Sequence, residues 1–587
     1  FIMEVTMNRG NIFHRSFGNQ CYALDENRIK ISLTTGDDIE KVYICYGDPF
    51  DAGIMGGQEV WEGTKEEIKT YMTLDHNRIW NVVVEPKHKR LRYYFIVEDS
   101  KESLCFLEDG LFSKEELKSL MLPSYFVMPW LNSSDVNVTP KWVQDTVWYQ
   151  IFPDRFCNGN PSINPEHCKK WQKGKVGMGD FYGGDIYGIK EKIPYLKDLG
   201  ITGIYINPIL KSSTNHKYNT DDYEVIDPHF GDDKIFKETV ELAHKNGIKV
   251  MVDAVFNHSG SDHPFWKDVQ KNGEKSKYKD WYMVNKFPVT KSGDTRDNQF
   301  YSFAFTKYMP KLNTNNPEVI DYFTKICKKW ITDWKIDGIR FDVANEVSHT
   351  FLKHLHKELK AIKPDIYLIG EIWHDSIQWL MGDEFDSIMN YPLTFGIREF
   401  FLNKNMPSEK LFQHINRRLN MYYDQTNMAM FNLYDSHDTL RLINSVDFNL
   451  DIYYQLLTIL FTIQGSPCIY YGTEIALHGG FDPDCRRCMP WDDIEKGTYK
   501  DITNKVKEII SLRNNHIATK SPNMEQVNNP NSRVVEYIKH SDNEDIKVIF
   551  NCSDSPIKVE NVDNILFENG YNDNSLKENG TLVYKIK

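Results

Sequence analysis

From Lys141 onward one pattern repeats eight times: an apolar run with strand character, then a stretch with helical periodicity. The strand runs are TVWYQIF, ITGIYINP, IKVMVDAVFN, GIRFDVA, IYLIGEIW, FDSIMNY, MAMFNLYD and SPCIYYG. Between them lie GIKEKIPYLKDLG, FKETVELAHKNG, NPEVIDYFTKICKKWITDWK, SHTFLKHLHKELKAI, SEKLFQHINRRLNMYY and DIYYQLLTILFTIQG, and TNKVKEIISLRNNH follows the eighth strand. The hydrophobic period switches back and forth between strand and helix values. Eight such units in about 370 residues close into a parallel barrel rather than an open sheet. The expected fold class is α/β, a (β/α)8 TIM barrel.

A chain of 587 residues exceeds what one core can hold, because single cores stop growing at roughly 250–300 residues. Ahead of the barrel, RIKISLTT, KVYICYGD, NVVVEP and RLRYYFIVED alternate and are separated by Gly, Asp and Pro turns. They predict an N-terminal β-sandwich over residues 1–130. The barrel is expected over 131–516, and RVVEYIKH, IKVIFN and TLVYKIK predict a C-terminal β-sandwich domain at 517–587. Between VFNHSG and the helix starting near Asn316 lie about fifty residues, too long for a plain connection. They predict an inserted lobe after strand 3, at about 259–312.

Hydrophobic residues make up 41% and charged ones 26%. No apolar run approaches the ~18–20 residues that cross a bilayer, which argues against a membrane role. The net charge of −13 is spread along the chain without a basic block, which argues against nucleic acid as a partner. FIMEVTMNRG lacks a basic region followed by an apolar core and a cleavage site, with Phe1 and Ile2 read as added residues, so a cytoplasmic location is expected. Ten cysteines lack a framework spacing and read as reduced thiols. Cys485 and Cys488 in DCRRC have no second pair or paired histidines to complete a zinc site.

In such a barrel the side chains at the C-terminal ends of the strands converge on one mouth. The third strand ends in Asp253, Asn257 and His258, the fourth in Arg340 and Asp342, the fifth in Glu371 and Trp373, and the seventh in His437 and Asp438. A lone Asp or His there more often caps a helix or satisfies a loop. Several together argue for a site, because clustered like charges raise each other's pKa and are costly to desolvate. Two chemistries use such a set. Metal-assisted hydrolysis takes Asp and His as ligands. Glycoside hydrolysis takes one ionised carboxylate as nucleophile and one protonated carboxyl as acid. Aromatic residues, 13% of the chain, favour the second, with Tyr218, Trp373 and Tyr434 in or beside the mouth segments.

VDAVFNH, GIRFDVANE, GEIW and DSHD, in that order and each at a strand end, resemble the four signature regions of the α-amylase family, glycoside hydrolase family 13. DVANE, MPKLN, GEIWHD, DPDCRR and YGDPFD near residue 50 resemble its cyclomaltodextrinase, neopullulanase and maltogenic amylase subgroup. The resemblance implies a retaining hydrolase of α-1,4-glucosidic bonds in cyclodextrins, maltooligosaccharides and pullulan, working through a covalent glucosyl-enzyme. It makes Asp342 the nucleophile, Glu371 the general acid and then base, and Asp438 the third carboxylate. In retaining glycosidases the two reacting carboxyls lie about 5–5.5 Å apart. His258 and His437 would assist at the same ring, and His216 and Tyr218 would stack on the cleaved unit. Asn345, Glu346 and Trp373 would border the leaving-group side, while Asp482 and Arg486 would meet the non-reducing end. Asp253, the structural aspartate of the first region, and Arg340 complete the substrate-binding set. Arg340 beside Asp342 is expected to hold the nucleophile ionised, and the apolar neighbours of Glu371 suit a protonated acid.

No cofactor is required for this chemistry. A structural calcium site is implied at Asn158, Asn160, Asn164, Gly183 and Asp185, weak because only Asp185 is charged. The subgroup also implies a homodimer through the N-terminal module. The alternatives are a glucan transglycosylase using the same intermediate, and a non-catalytic carbohydrate-binding barrel, opposed by the presence of all three carboxylates.

Overall fold

The computed structural model describes residues 7–53, 61, 63–289 and 294–587. FIMEVT, on which the reading of the N-terminus partly rests, lies outside them. Eight parallel strands form the barrel: Trp148–Ile151, Gly203–Ile206, Lys249–Ala254, Gly338–Phe341, Tyr367–Gly370, Ser387–Ile388, Phe431–Asn432 and Ser466–Tyr470. The first pairs with the last through Trp148↔Cys468. The sixth and seventh close the ring through the bridge Met389↔Phe431 and the bond from Asn390 N–H to Phe431 O at 2.8 Å. The fourth strand is buried at every position, which explains why GIRF reads as a continuous run. Trp148, Tyr205, Met251, Tyr367, Met389 and Phe431 pack into one buried cluster. Register places Asp253 opposite Arg340, so residues at the strand ends meet across neighbouring strands.

Six of the expected helical patterns form helices at Asp233–Lys245, Pro317–Lys329, His349–Ile362, Ser408–Leu419, Leu450–Thr462 and Lys500–Asn515. The first, GIKEKIPYLKDLG, splits at Lys192 into Ile186–Glu191 and Ile193–Leu199, with Pro194 in the first turn of the second helix. A further helix, Tyr391–Leu402, has no counterpart among the expected patterns. YPLTFGIREFFL carries Pro392, Gly396 and aromatics on all sides, and so shows no clear amphipathic period. Its proline sits in the first turn, where a missing N–H costs nothing.

The chain divides into two compact units. One comprises Phe1–Val138 with Leu380–Gly382 and Glu409–Asn427; the other holds the remaining residues. In the first, two antiparallel sheets enclose a core that includes Ile29, Ile31, Leu33, Val42, Ile44, Tyr93 and Phe95. Residues 409–427 bond into this unit: Lys30 pairs with Asp424 at 2.7 Å, and Tyr22 stacks on Tyr423 with centroids 4.4 Å apart. SEKLFQHINRRLNMYY therefore packs mainly with the N-terminal module. In the second unit, the last strand, Ser575–Lys585, pairs with Asp545–Asn551, Ile557–Lys558 and Ile565–Asn572 in a six-stranded antiparallel sheet. The lobe after strand 3 carries the helix Pro264–Asn272 and single bridges such as Tyr282↔Leu312 and Ser302↔Pro310.

All ten cysteines are free thiols. Among the described residues, no helix is long and apolar enough to cross a membrane.

Candidate active site

The barrel mouth opens into a cavity of ≈ 410 Å³. Arg340, with no exposed surface, lies beneath it and serves three carboxyls. Its Nη1 donates to Asp342 Oδ1 at 2.7 Å and to Asp253 Oδ1 at 2.9 Å. Its Nη2 lies 2.9 Å from Glu371 Oε2, an ion pair without hydrogen-bond alignment. Asp253 also accepts from the hydroxyls of Tyr205 at 2.6 Å and Tyr218 at 2.8 Å. Arg340 and Asp253 therefore lie behind the cavity wall, a correction to their grouping with residues that touch substrate. A buried guanidinium needs this many acceptors to offset its desolvation.

The two carboxyls sit in different electrostatic surroundings. Burial pushes Asp342 well above the usual carboxylate range, with the charges of Glu371 and Asp253 adding to it, and Arg340 only partly opposes this. Burial raises Glu371 too, but Arg340, the Val343 N–H, the Trp373 indole and Asp342 outweigh it and hold Glu371 below its ordinary range. The apolar neighbours of Glu371 in GEIW are not its surroundings: Val343 N–H donates to Oε2 and Trp373 Nε1–H to Oε1, both at 3.0 Å. Val343 reaches this position with φ of 45°, left-handed backbone that a β-branched residue adopts only under strain.

Asp438 faces the pair across the cavity. Burial and the nearby charge of Glu371 push its carboxyl up to about 7. Its side chain keeps 34% of its surface open, so water moderates that burial. His437 Nδ1 accepts from the amides of Gln150 at 2.8 Å and Asn207 at 3.1 Å, which assigns the ring proton to Nε2. Nε2 then donates to Asp438 Oδ2 at 3.1 Å. Burial and Arg486 hold His437 well below its ordinary pKa, so the ring is neutral. Arg486 bridges Asp438 at 3.3 Å and Asp482 at 2.9 Å.

Tyr218 stacks on His437, centroids 5.2 Å apart and planes at 6°, with His216 beyond it at 5.8 Å. Burial lowers both His216 and His258 to about 3, so they act as neutral donors or acceptors. On another wall Trp373 stacks on Tyr391 at 3.8 Å. Asn345 and Glu346 also line the cavity, and Lys311 Nζ lies 3.4 Å from Glu346 Oε2.

Met178, Phe303, Met309 and Val343 also line the cavity and were not selected from the sequence. Met309 lay in the quoted MPKLN, whereas Phe303 sits in an irregular part of the lobe that offers no periodic signal. Tyr434 is corrected: it is 1% exposed and does not line the cavity.

In the implied calcium loop, Asp185 caps the helix Ile186–Glu191. Its Oδ1 accepts Gly188 N–H at 2.7 Å and Gly159 N–H at 3.1 Å, and its Oδ2 accepts Asn160 N–H at 2.7 Å. Asn160 Oδ1 turns to the Ser162 hydroxyl at 2.7 Å. Asn158 Oδ1 is buried without a hydrogen-bond partner, and Asn158 Nδ2 donates to Asn164 Oδ1 at 3.1 Å. A Cβ at Gly183 would lie 2.5 Å from Asn164 Oδ1, so the loop admits only glycine there. Among the described residues, no group of three or more His, Cys, Asp or Glu could hold a metal.

A parallel barrel that gathers acidic side chains and flat aromatic faces at its C-terminal mouth is the architecture of a glycosidase. The chain belongs to the α-amylase family: residues 150–541 match "Alpha amylase, catalytic domain" and residues 7–132 match "Alpha amylase, N-terminal ig-like domain". It is 40% identical to a maltogenic alpha-amylase of Bacillus acidopullulyticus, covering 94% of this chain and 93% of that protein. It is 41% identical to an intracellular maltogenic amylase of Bacillus subtilis, covering 86% and 84%. A solved cyclomaltodextrinase superposes with a TM-score of 0.87 at 35% identity, covering 98% of this chain and 97% of that one.

Proposed function

We propose that the protein is a retaining hydrolase of α-1,4-glucosidic bonds, acting on cyclodextrins, maltooligosaccharides and pullulan in the cytoplasm. The observation that carries this reading is the placement of Asp342 and Glu371 on one guanidinium, facing Asp438 across a cavity walled by Tyr218 and Trp373. Asp342 attacks the anomeric carbon and forms a glucosyl ester while Glu371 protonates the departing oxygen. Glu371 then takes a proton from water, which opens the ester with overall retention. The reacting state needs the proton on Glu371 and Asp342 ionised. Asp438, with the neutral Nε2–H of His437 and Arg486 beside it, binds the hydroxyls of the ring being flattened.

Asp342→Asn is expected to lower turnover of β-cyclodextrin and maltotriose by at least about 10³-fold. NMR of the first-formed product should show the α-anomer; a β-anomer would reject retention. In a turnover comparison of β-cyclodextrin, pullulan and starch, preference for starch would remove the subgroup assignment.

The same reading includes a homodimer through the N-terminal module, to be checked by sedimentation, and a weak structural calcium ion. Asn158 Oδ1, a buried oxygen without a partner, supports the latter, with Asn164 and Asp185 as the further donors. The expected outcome of chelation is a lower Tm with turnover retained at low temperature. Total loss of turnover would point to metal chemistry, and a Tm indifferent to calcium would dismiss the site.

A further inference from the structure

The inserted lobe holds a second concavity, of ≈ 240 Å³, lined by none of the residues assigned above. One wall is the helix Pro264–Asn272, on which Lys267 and Gln270, three residues apart, share a face. Ser261 and Asp262 lie just ahead of that helix. Phe300 forms the apolar floor, 3% exposed and packed on Trp266 at 4.8 Å. Tyr308, 53% exposed, stands as the opposite wall.

The charges here are engaged locally. Asp262 pairs with Lys267 at 2.9 Å, and the Lys307 ammonium lies 5.1 Å from the centre of the Tyr308 ring. That arrangement favours a neutral ligand over an ion. A ligand that presents both a flat apolar face and many hydroxyls fits the lining: one exposed ring, Tyr308, above an apolar floor, with hydrogen-bonding groups from Ser261, Asp262 and Gln270. A sugar ring has both properties.

The place of Tyr308 in the chain links this concavity to the reaction. Tyr308 and Met309 occupy one turn, closed by the bond from Met309 N–H to Thr306 O at 3.2 Å. Met309 lines the catalytic cavity and Tyr308 lines the second one. The turn is tied to the facing wall by Ser261 N–H donating to Tyr308 O at 3.0 Å.

We propose that this concavity is a second glucan-binding site, which holds an α-glucan chain by stacking and hydrogen bonds and does not cleave it. The inference rests on the proposed function for its choice of sugar. It implies that long substrates are retained near the mouth by contacts that short ones do not need.

The test compares Tyr308→Ala and Gln270→Ala with the unaltered protein, using an Asp342→Asn background for gel retardation by soluble amylopectin so that the polymer is not consumed. Loss of one stacking face is expected to weaken retardation about three- to tenfold. With Asp342 intact, maltotriose kcat/KM should stay within about twofold while amylopectin kcat/KM falls with the retardation. Tyr308→Trp should restore both. Unchanged retardation in Tyr308→Ala overturns the site. Equal losses on maltotriose and amylopectin also overturn it, because Tyr308 would then be acting through the catalytic wall. Failure of the unaltered protein to cleave any α-glucan would instead reject the function while leaving the retardation result readable.

Discussion

Asp342 and Glu371 share one guanidinium, and Glu371 also accepts from the Val343 N–H and the Trp373 indole, bonds that favour its ionised form. Trp373 supplies one such bond, so Trp373→Phe should let Glu371 rise. Its protonated form would then persist to higher pH, and the basic limb of the kcat/KM profile should move upward; a downward shift would contradict the assignment. Asp438 gives a second pH signature. Its carboxyl is raised to about 7 in the folded protein, above the ~3.9 of an unfolded aspartate. The folded state therefore holds an extra proton between those values, and this contribution to stability is lost as pH rises through 7. Asp438→Asn should match the unaltered Tm at pH 4 and exceed it increasingly toward pH 8, measured by calorimetry. The strand-end residues were legible because their chemistry is visible in one letter each. Val343 was not, since β-branching predicts an extended conformation and its left-handed φ comes from the surrounding fold. The surroundings of Glu371 were only half legible: GEIW contains Trp373, whose indole bonds it, whereas the Val343 N–H and the charge of Arg340 reach it from the fourth strand.

At the scale of elements, the N-terminal ends of the barrel strands carry their own charged knot. Asp337, just before the fourth strand, accepts from His244 at 2.7 Å, Lys363 at 2.9 Å and the Val250 N–H at 3.0 Å. It therefore fastens the helix after strand 2, the third strand and the end of the helix after strand 4. Burial opposes ionisation, but His244 and Lys363 outweigh it and hold the carboxyl well below its ordinary range. The sign is opposite to that of Asp438: the contribution is present above the unfolded pKa and lost as pH falls through the folded one. Asp337→Asn should cost about 3 kcal/mol at pH 7, with the deficit shrinking in acid; a constant deficit across pH would assign the loss to packing. Periodicity located most barrel helices because one face of each is apolar. It failed at Tyr391–Leu402, whose core positions leave little polar surface to mark the period.

At the scale of the molecule, the barrel with its C-terminal sheet is one compact unit, and the N-terminal module with residues 409–427 is the other. Removing residues 7–132 would strip the partners of Asp424, Tyr423 and Lys410, namely Lys30, Tyr22 and Asp75. The truncated chain is expected to unfold at a clearly lower Tm or to aggregate; a soluble barrel with an unchanged melting transition would contradict this. Repetition along the chain made the barrel legible, whereas the assignment of residues 409–427 depends on partners nearly four hundred positions away. The discontinuity also orders events on the ribosome. The module synthesised first is completed only when residues 409–427 have emerged, roughly 15 to 60 s after Val138 at ordinary elongation rates. Through that interval the nascent chain carries an unfinished surface at Lys30 and Tyr22, and this is where a holdase chaperone would be expected to engage it.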